Sequence, residues 1–473
     1  MLDQLRFDAL GHLKTFPVKT PNIDALAASG TSFDNAYCSN PVCVPARASI
    51  MTGVNSYEHG VYYNDQSWPE NMETFADKLA KNCYYTTLIG KTHFFPKNRS
   101  AGFQKAVLPE SHAYYLEKRG LGKKPKRTEA SVSNLDSLNL AYPIEPTNVP
   151  LEHYRPIYYT DKAIKELELI AQGRECHDEG DEPFLMKLSY LLPHTPCNPP
   201  EPYFSMYGKD DIPAPNATKN ELEHFSTQMK KFHAIWDQMD EERLLKNRAQ
   251  YFGCVTLIDD MIGRVIQKLK DLNIYDNTLI ILTSDHGDHL CDHHLQQKGS
   301  FYECSAKIPL IFSGPGIPKG KVVHENVSHI DLFPTIMEYC QLSMPKLRDP
   351  SGKFIYPDTY ESDNMSLMPY FSSDEPVNPE RIIISENAMQ GQRFMLKKGD
   401  VKINCYINKD GKNEFDYYNV KDDPNEQNNM GKSFSVDDLE PDMKEQYEKI
   451  LEQTKKLESG HYYFQNKVRP MFT

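Results

Sequence analysis

The chain reads as an α/β protein built on a mostly parallel central sheet, and two features of its pattern lead there. Short, near-continuous apolar runs recur, as strands buried on both faces require; Tyr84 to Ile89, Phe184 to Leu192 and Leu279 to Leu282 are the clearest. Each is followed at once by polar residues, respectively Gly90-Lys91-Thr92-His93, Pro193-His194 and Ser284-Asp285-His286. Open parallel sheets bind ligands beyond the carboxyl ends of their strands, so these three endings are expected to share one rim. Helical patterns separate the runs, and that alternation gives a doubly wound sandwich.

Taken in order, Thr20 is placed to cap a helix that has Pro21 in its first turn and stops at Gly30. Pro45 suits the first turn of a second helix and Gly53 its C-terminal cap, which sets Cys43 just ahead of that helix. The basic, aperiodic stretch from Glu117 to Arg127 reads as a loop, either a solvated insertion or an arm that holds an anionic substrate. Residues 197 to 220, rich in Pro and Asn, form a long loop near the same rim. Val255, Ile258, Met261, Ile262, Val265, Ile266 and Leu269 fall at helical spacing, and this helix closes before Asn273. From about residue 376 the texture changes to short runs at Arg381–Ser385, Phe394–Lys397 and Val401–Tyr406, then an amphipathic helix from about Asp437 to Leu457. The expected organisation is a larger α/β domain over residues 1–375 and a small α+β subdomain over residues 376–473.

Composition narrows the functional classes. With 473 residues and 39% hydrophobic content the chain has material for a large core, which excludes disorder as its overall state. No stretch approaches the 18 or so apolar residues of a membrane helix, and Met1-Leu2-Asp3-Gln4 opens without a basic and then apolar leader. A net charge of -13 opposes coating of nucleic acid or of an anionic membrane, so an anionic ligand needs a locally positive pocket. The 10 cysteines include no C-x-x-C pair, which favours reduced thiols over a disulfide scaffold.

The most informative segment is Pro41-Val42-Cys43-Val44-Pro45-Ala46-Arg47-Ala48-Ser49-Ile50-Met51-Thr52-Gly53. A cysteine at a helix N-terminus faces backbone N–H groups that favour an anion or a polarised oxygen. Arg47, one turn on, adds a planar fork that matches sulfate or phosphate oxygens.

C-x-P-x-R followed by A-S-x-x-T-G resembles the maturation and active-site motif of the type I sulfatases of the alkaline phosphatase superfamily; Val44 stands where that family usually has a smaller residue. The likeness extends along the chain: Thr20-Pro21-Asn22-Ile23-Asp24, Phe33-Asp34-Asn35-Ala36-Tyr37, Gly90-Lys91-Thr92-His93, Pro193-His194-Thr195-Pro196, and Thr283 to Asp288 with Lys298-Gly299 and Tyr302-Glu303. Val327 to Thr335 and Phe415 to Val420 with Asp423-Pro424 resemble its later landmarks.

The resemblance implies an alkaline-phosphatase-like sandwich and a sulfuric ester hydrolase whose Cys43 is converted by a maturing enzyme to formylglycine. It further implies one divalent metal held by Asp3, Gln4, Cys43, Asp285 and His286. Oxygen ligands suit calcium, and the imidazole also admits manganese. Arg47, Lys91 and Lys298 would neutralise the sulfuryl oxygens; His194, helped by Lys298, would protonate the leaving alkoxide; His93 would take a proton from the second hydroxyl of the hydrated aldehyde. His289, Asp292, His293 and His294 are expected in supporting or surface positions, and His324, His329 and Asp331 in structural ones. A sulfated carbohydrate is the expected substrate, because of the basic residues of segment 117–127.

Asp3-Gln4 is similar to the variant found in phosphonate monoester hydrolases, so hydrolysis of phosphonate monoesters or phosphodiesters is the nearest rival. A catalytically silent paralogue that binds sulfated glycans is the rival from another class. The family's first strand precedes the residue matching Asp3, where this chain has only Met1 and Leu2. An incomplete start is therefore expected, and cytoplasmic, periplasmic and secreted locations all stay open.

Overall fold

The structure, a computed structural model, describes residues 1–70, 72–94, 99–121, 143, 145–173, 182–218, 221–233, 241–343, 363–389, 391–408 and 412–456. The strands of its larger part are β1 (Leu2–Asp3), β2 (Thr31–Phe33), β3 (Ala36–Tyr37), β4 (Tyr85–Gly90), β5 (Lys105–Val107), β6 (Phe184–Pro193), β7 (Ile280–Thr283), β8 (Leu310–Ser313), β9 (Lys321–Val323) and β10 (Val327–Ser328). One half of the central sheet has the order β1-β6-β4-β5, all parallel. The other has the order β7-β8-β2-β9, with β8 antiparallel to both neighbours. A bridge between Leu2 and Ser284 joins the halves, so β1 lies at the seam between the ends of β6 and β7.

Alternation along the strands sends side chains into two cores. Leu88 and Phe312 pack among Ala48, Met51, Phe75, Leu79, Phe333 and Met337, from the helices Cys43–Thr52, Phe75–Lys81 and Leu332–Tyr339. Their neighbours Ile89 and Ile311 face the opposite side, among Ile23, Leu26, Ile157, Phe252, Val255 and Ile258, from the helices Pro21–Ala28, Arg155–Ala171 and Glu241–Asp271. This is the period-2 pattern of a sheet covered on both faces. No helix among the described residues is long and apolar enough to cross a membrane.

The C-terminal strands β11 (Ile382–Asn387), β12 (Arg393–Lys398), β13 (Val401–Tyr406) and β14 (Glu414–Asn419) form an antiparallel meander. Phe394, Leu396, Ile403 and Phe415 pack under Met443, Tyr447 and Ile450 of the helix Pro441–Lys456. Buried Lys402 docks this sheet on the larger part through Glu303, at 2.9 Å, and the C-terminal Glu426, at 2.6 Å.

The local readings need three adjustments. Cys43 is the first residue of its helix instead of preceding it, because the chain is extended at Val42 (φ -140, ψ 139) and turns helical at Cys43. Glu117 and Lys118 end the helix Pro109–Lys118, where the basic run was expected to be all loop; Lys123, Lys124, Lys126 and Arg127 lie outside the described residues. The C-terminal helix begins at Pro441, after a short 3-10 turn over Val436–Asp438.

Gly90 ends β4 with φ 103, and a Cβ there would lie 2.0 Å from the Ser189 carbonyl oxygen of β6. Gly90→Ala should therefore lower stability by about 1–3 kcal/mol from the backbone conformation alone, with the collision added. A urea midpoint equal to that of the parent would count against this reading.

Candidate active site

Every side chain of the helix Cys43–Thr52 is buried, and its N-terminus is aimed at the carboxyl ends of β6 and β7. Val42 offers no capping side chain. Instead Val44 N–H donates to Asn64 Oδ1 at 3.1 Å, from the loop that follows the helix. Gly53, at φ 73, closes the other end by donating its N–H to the Ser49 carbonyl.

Asp3, Cys43, Asp285 and His286 converge ahead of this helix, with one potential ligand atom from each lying within 4.8 Å of all the others, and all four residues buried. Cys43 Sγ is 3.2 Å from His286 Nε2 and 3.9 Å from Asp3 Oδ1. His286 Nδ1–H donates to the Gly287 carbonyl at 2.9 Å, which leaves the lone pair on Nε2 turned inward. Two carboxylates and an imidazole lone pair gathered this closely are a donor set that one divalent cation could share. Gln4 reaches the same place by a different use of its atoms. Its N–H donates to Asp285 Oδ1 at 3.0 Å, its Oε1 accepts from Lys298 Nζ at 2.7 Å, and its Nε2 donates to Asp288.

Arg47 ties the cluster together. Its Nη2 donates to Asp3 Oδ2 at 2.7 Å and its Nε to Asp285 Oδ2 at 2.9 Å, while Nη1 reaches the Lys91 carbonyl at 3.0 Å and Ser189 Oγ at 3.1 Å. The guanidinium thus holds the carboxylates in place, and its donors are spent on them, on the Lys91 carbonyl and on Ser189. Lys91 Nζ pairs with Asp3. Lys298 and His194 lie near enough to the Cys43 sulfur to act on its charge, and His194 Nε2 is 3.9 Å from Asp3 Oδ1. His194 Nδ1–H donates to the Thr195 carbonyl at 2.6 Å, which leaves Nε2 facing the site. His93 lies two residues past Lys91 in a left-handed conformation (φ 51), with its Nδ1 buried and without a partner among the described residues.

The electrostatics are those of a pocket built for negative charge. Burial would raise the Cys43 thiol, but Lys298, Lys91, His286 and the hydrogen bond from His194 hold it well below its ordinary value. Burial and the Cys43 sulfur would likewise raise Asp3, yet Lys91, His194 and Arg47 outweigh them and keep it ionised. Burial, with Lys298 and Lys91 nearby, lowers His194. Burial would lower His286 too, but Asp285 and Cys43 reverse the sign and raise it. Lys298 is raised against its burial by Cys43, Asp3 and Asp285.

The remaining candidates take supporting positions. His289 bonds Ser300 Oγ at 2.6 Å, Asp292 receives Arg6 and Arg248 at 2.6 and 2.9 Å, His293 pairs with Glu221 and stacks on Tyr302, and His294 bonds the Thr218 carbonyl at 2.9 Å. His289, Asp292 and His293 are buried, so a surface position is corrected for these three: the chain folds their loop under Arg6 and Arg248. His329 Nε2 bonds the Ser284 carbonyl at 2.8 Å, Asp331 takes a two-pronged pair from Arg381, and His324 pairs with Asp34 at the surface. The sequence reading missed Asn64, Ser189 and Asp288. Asp288 stands two residues past His286 in a segment already singled out, whereas Asn64 lies in a loop with no pattern to mark it.

The sulfatase family model matches residues 1–342, and that of the N-sulphoglucosamine sulphohydrolase C-terminal domain matches residues 291–453. An arylsulfatase of Clostridium perfringens is 31% identical over 368 residues, covering 73% of this chain and 74% of that protein. Among solved structures, the phosphonate monoester hydrolase of Agrobacterium radiobacter superposes with a TM-score of 0.76 at 23% identity, over 96% of this chain and 94% of that one. A protein solved in complex with its substrate D-glucosamine-2-N,6-O-disulfate superposes with a TM-score of 0.69 at 20% identity, over 98% of both chains. With the nucleophile motif, the acidic cluster and the lysines on one rim of an alkaline-phosphatase-like sheet, and with these matches along its length, the chain belongs to the sulfatase family.

Proposed function

We propose that this sulfuric ester hydrolase acts on a sulfated carbohydrate through a formylglycine made from Cys43, with one divalent metal held by Asp3, Asp285 and His286 beside it. The observation that supports this most is the meeting of Cys43, inside its C-x-P-x-R motif, with two carboxylates, an imidazole lone pair, two lysines and His194. Such a metal would polarise a sulfate oxygen and ease ionisation of the nucleophile. The Cys43 sulfur marks where a hydroxyl of the hydrated aldehyde would sit, in reach of the groups that lower the thiol.

In this reading Lys91 and Lys298 face the sulfuryl oxygens as negative charge grows there, and Arg47 fixes Asp3 and Asp285 so that little reorganisation is needed. His194, whose Nε2 faces the site, protonates the leaving alkoxide. His93 then takes a proton from the remaining hydroxyl, which releases sulfate and restores the aldehyde. Gln4 Oε1 orients Lys298 with one lone pair and would offer the other to the ion. The carbohydrate reading draws on the basic residues between 117 and 127 and on the fold neighbour solved with a glucosamine disulfate.

Phosphonate monoester or phosphodiester hydrolysis is the second reading, favoured by Asp3-Gln4, by His286 and by the fold neighbour of that activity. A silent glycan-binding paralogue is a third, separated by Cys43→Ala.

Mass analysis of the peptide containing Cys43 should show an aldehyde in protein made alongside a maturing enzyme, and Cys43→Ala should abolish turnover of an aryl sulfate. An unmodified thiol under conditions that mature a control sulfatase would bring the silent paralogue forward. Dominant turnover of an aryl phosphodiester over an aryl sulfate would decide for the second reading. His194→Ala should cost roughly 100-fold or more on a glycan sulfate, whose alkoxide needs a proton, and far less on nitrophenyl sulfate. Equal losses on both would remove His194 as the acid. Chelation should abolish activity, and restoration by calcium or by manganese would identify the ion. Neutralising Lys123, Lys124, Lys126 and Arg127 together should raise KM on a sulfated oligosaccharide, and an unchanged KM would count against the carbohydrate reading.

A further inference from the structure

The loop after the nucleophile helix folds back along it and is tied to it at two places. His59 Nδ1 accepts Val61 N–H at 3.0 Å, so the ring carries its proton on Nε2 and donates to Ser49 Oγ at 2.9 Å. Burial holds His59 down at about 3, so it stays neutral in this role. Further along, Asn64 Oδ1 takes the Val44 N–H of the helix's first turn.

What holds the loop between these points comes from the C-terminal sheet. Glu386, 1% exposed near the end of β11, accepts Tyr57 N–H on Oε2 at 2.9 Å and Tyr62 O–H on Oε1 at 3.0 Å. Its own N–H donates to the Ser39 carbonyl at 2.9 Å, just ahead of the helix. Two residues on, the Ala388 carbonyl accepts Tyr63 O–H at 3.1 Å. We propose that Glu386 is a positioning residue for the reaction: it fastens the segments on both sides of the nucleophile helix to the C-terminal sheet and so keeps Cys43 in register with Asp3 and Asp285. Only the activity readout below rests on the sulfatase reading.

The carboxyl does this as a neutral acid at ordinary pH. Burial pushes it up to about 8, against the pull of the Tyr57 and Tyr62 donors and with Glu58 adding to the rise. The groups facing it are Glu58 and the Tyr57 and Tyr62 hydroxyls, with Asp363 and Lys449 paired beyond Tyr57. An unfolded glutamate titrates near 4.5, so between there and about 8 the native state binds the extra proton. Stability therefore falls as pH rises through that window, and Glu386→Gln should flatten the fall.

Three variants test the proposal: Glu386→Ala, Glu386→Gln and Tyr62→Phe. Amide exchange of peptides 38–46 and 57–64 is followed in protein with an unmodified Cys43, and kcat and KM on nitrophenyl sulfate in matured protein. Glu386→Ala should speed exchange of peptide 57–64 about 10-fold or more, with peptide 38–46, whose tie is the backbone N–H of residue 386, as the internal reference, and lower kcat by roughly 10- to 100-fold with KM within about twofold. Glu386→Gln should stay within about twofold of the parent in exchange and in kcat, because its amide oxygen can accept Tyr57 N–H while its NH2 donates to the Tyr62 hydroxyl oxygen, as the O–H of a neutral acid would, and it adds no charge. Unchanged exchange of peptide 57–64 in Glu386→Ala, or a Gln variant as damaged as the Ala variant, overturns the proposal. If Glu386→Ala does not fold, Tyr62→Phe decides, with faster exchange of 57–64 expected and unchanged exchange fatal. If no protein, the parent included, cleaves a sulfate ester despite an aldehyde at position 43, the sulfatase reading fails while the exchange data still judge Glu386.

Discussion

The site depends on one buried guanidinium. Arg47 touches Asp3 of β1, Asp285 beyond β7, the Lys91 carbonyl beyond β4 and Ser189 of β6, so a single side chain of the nucleophile helix gathers four strand ends. A cation with no exposed surface is stable only where anions and acceptors surround it, and two carboxylates this close need such a cation between them. Each therefore makes the others tolerable. The same arrangement keeps Asp3 ionised and sets both carboxylates beside the Cys43 sulfur.

Lysines and histidines complete the pocket from strand ends that were readable in the sequence. Lys91, His194, Asp285 and His286 each follow an apolar run directly, and the parallel arrangement of β4, β6 and β7 brings all of those ends to one rim. The two faces of the sheet were legible for the same reason, since runs such as Tyr84–Ile89 and the helical spacing of Val255–Leu269 are long enough to show a period. Strands β2 and β9 are three residues each, too short for that, and nothing marked β8 as antiparallel. The small C-terminal subdomain was legible as texture, while its contacts with the nucleophile loop were not.

Asn64, Asp288 and Glu386 escaped notice because their duties are relational. Asn64 matters through one backbone N–H, Asp288 through the amide of Gln4, and Glu386 through two tyrosines and a carbonyl. No residue type or spacing announces such a partner, because the partner lies hundreds of positions away for two of the three. His93 shows the converse: its place in G-K-x-H marks it plainly, although among the described residues its Nδ1 meets no partner.

The seam at β1 bears on how the chain acquires this site. Leu2 pairs with Tyr190 and bridges to Ser284, so the centre of the sheet is stitched from parts far apart in the chain. Joining the two half-sheets therefore means closing loops of about 190 and 280 residues, with the chain-entropy cost that goes with them. Until then Asp3 and Asp285 are apart, and Arg47 has no anions to accompany it into the core. The charge cluster thus exists only where the two half-sheets are joined, and a chain without that seam has no site.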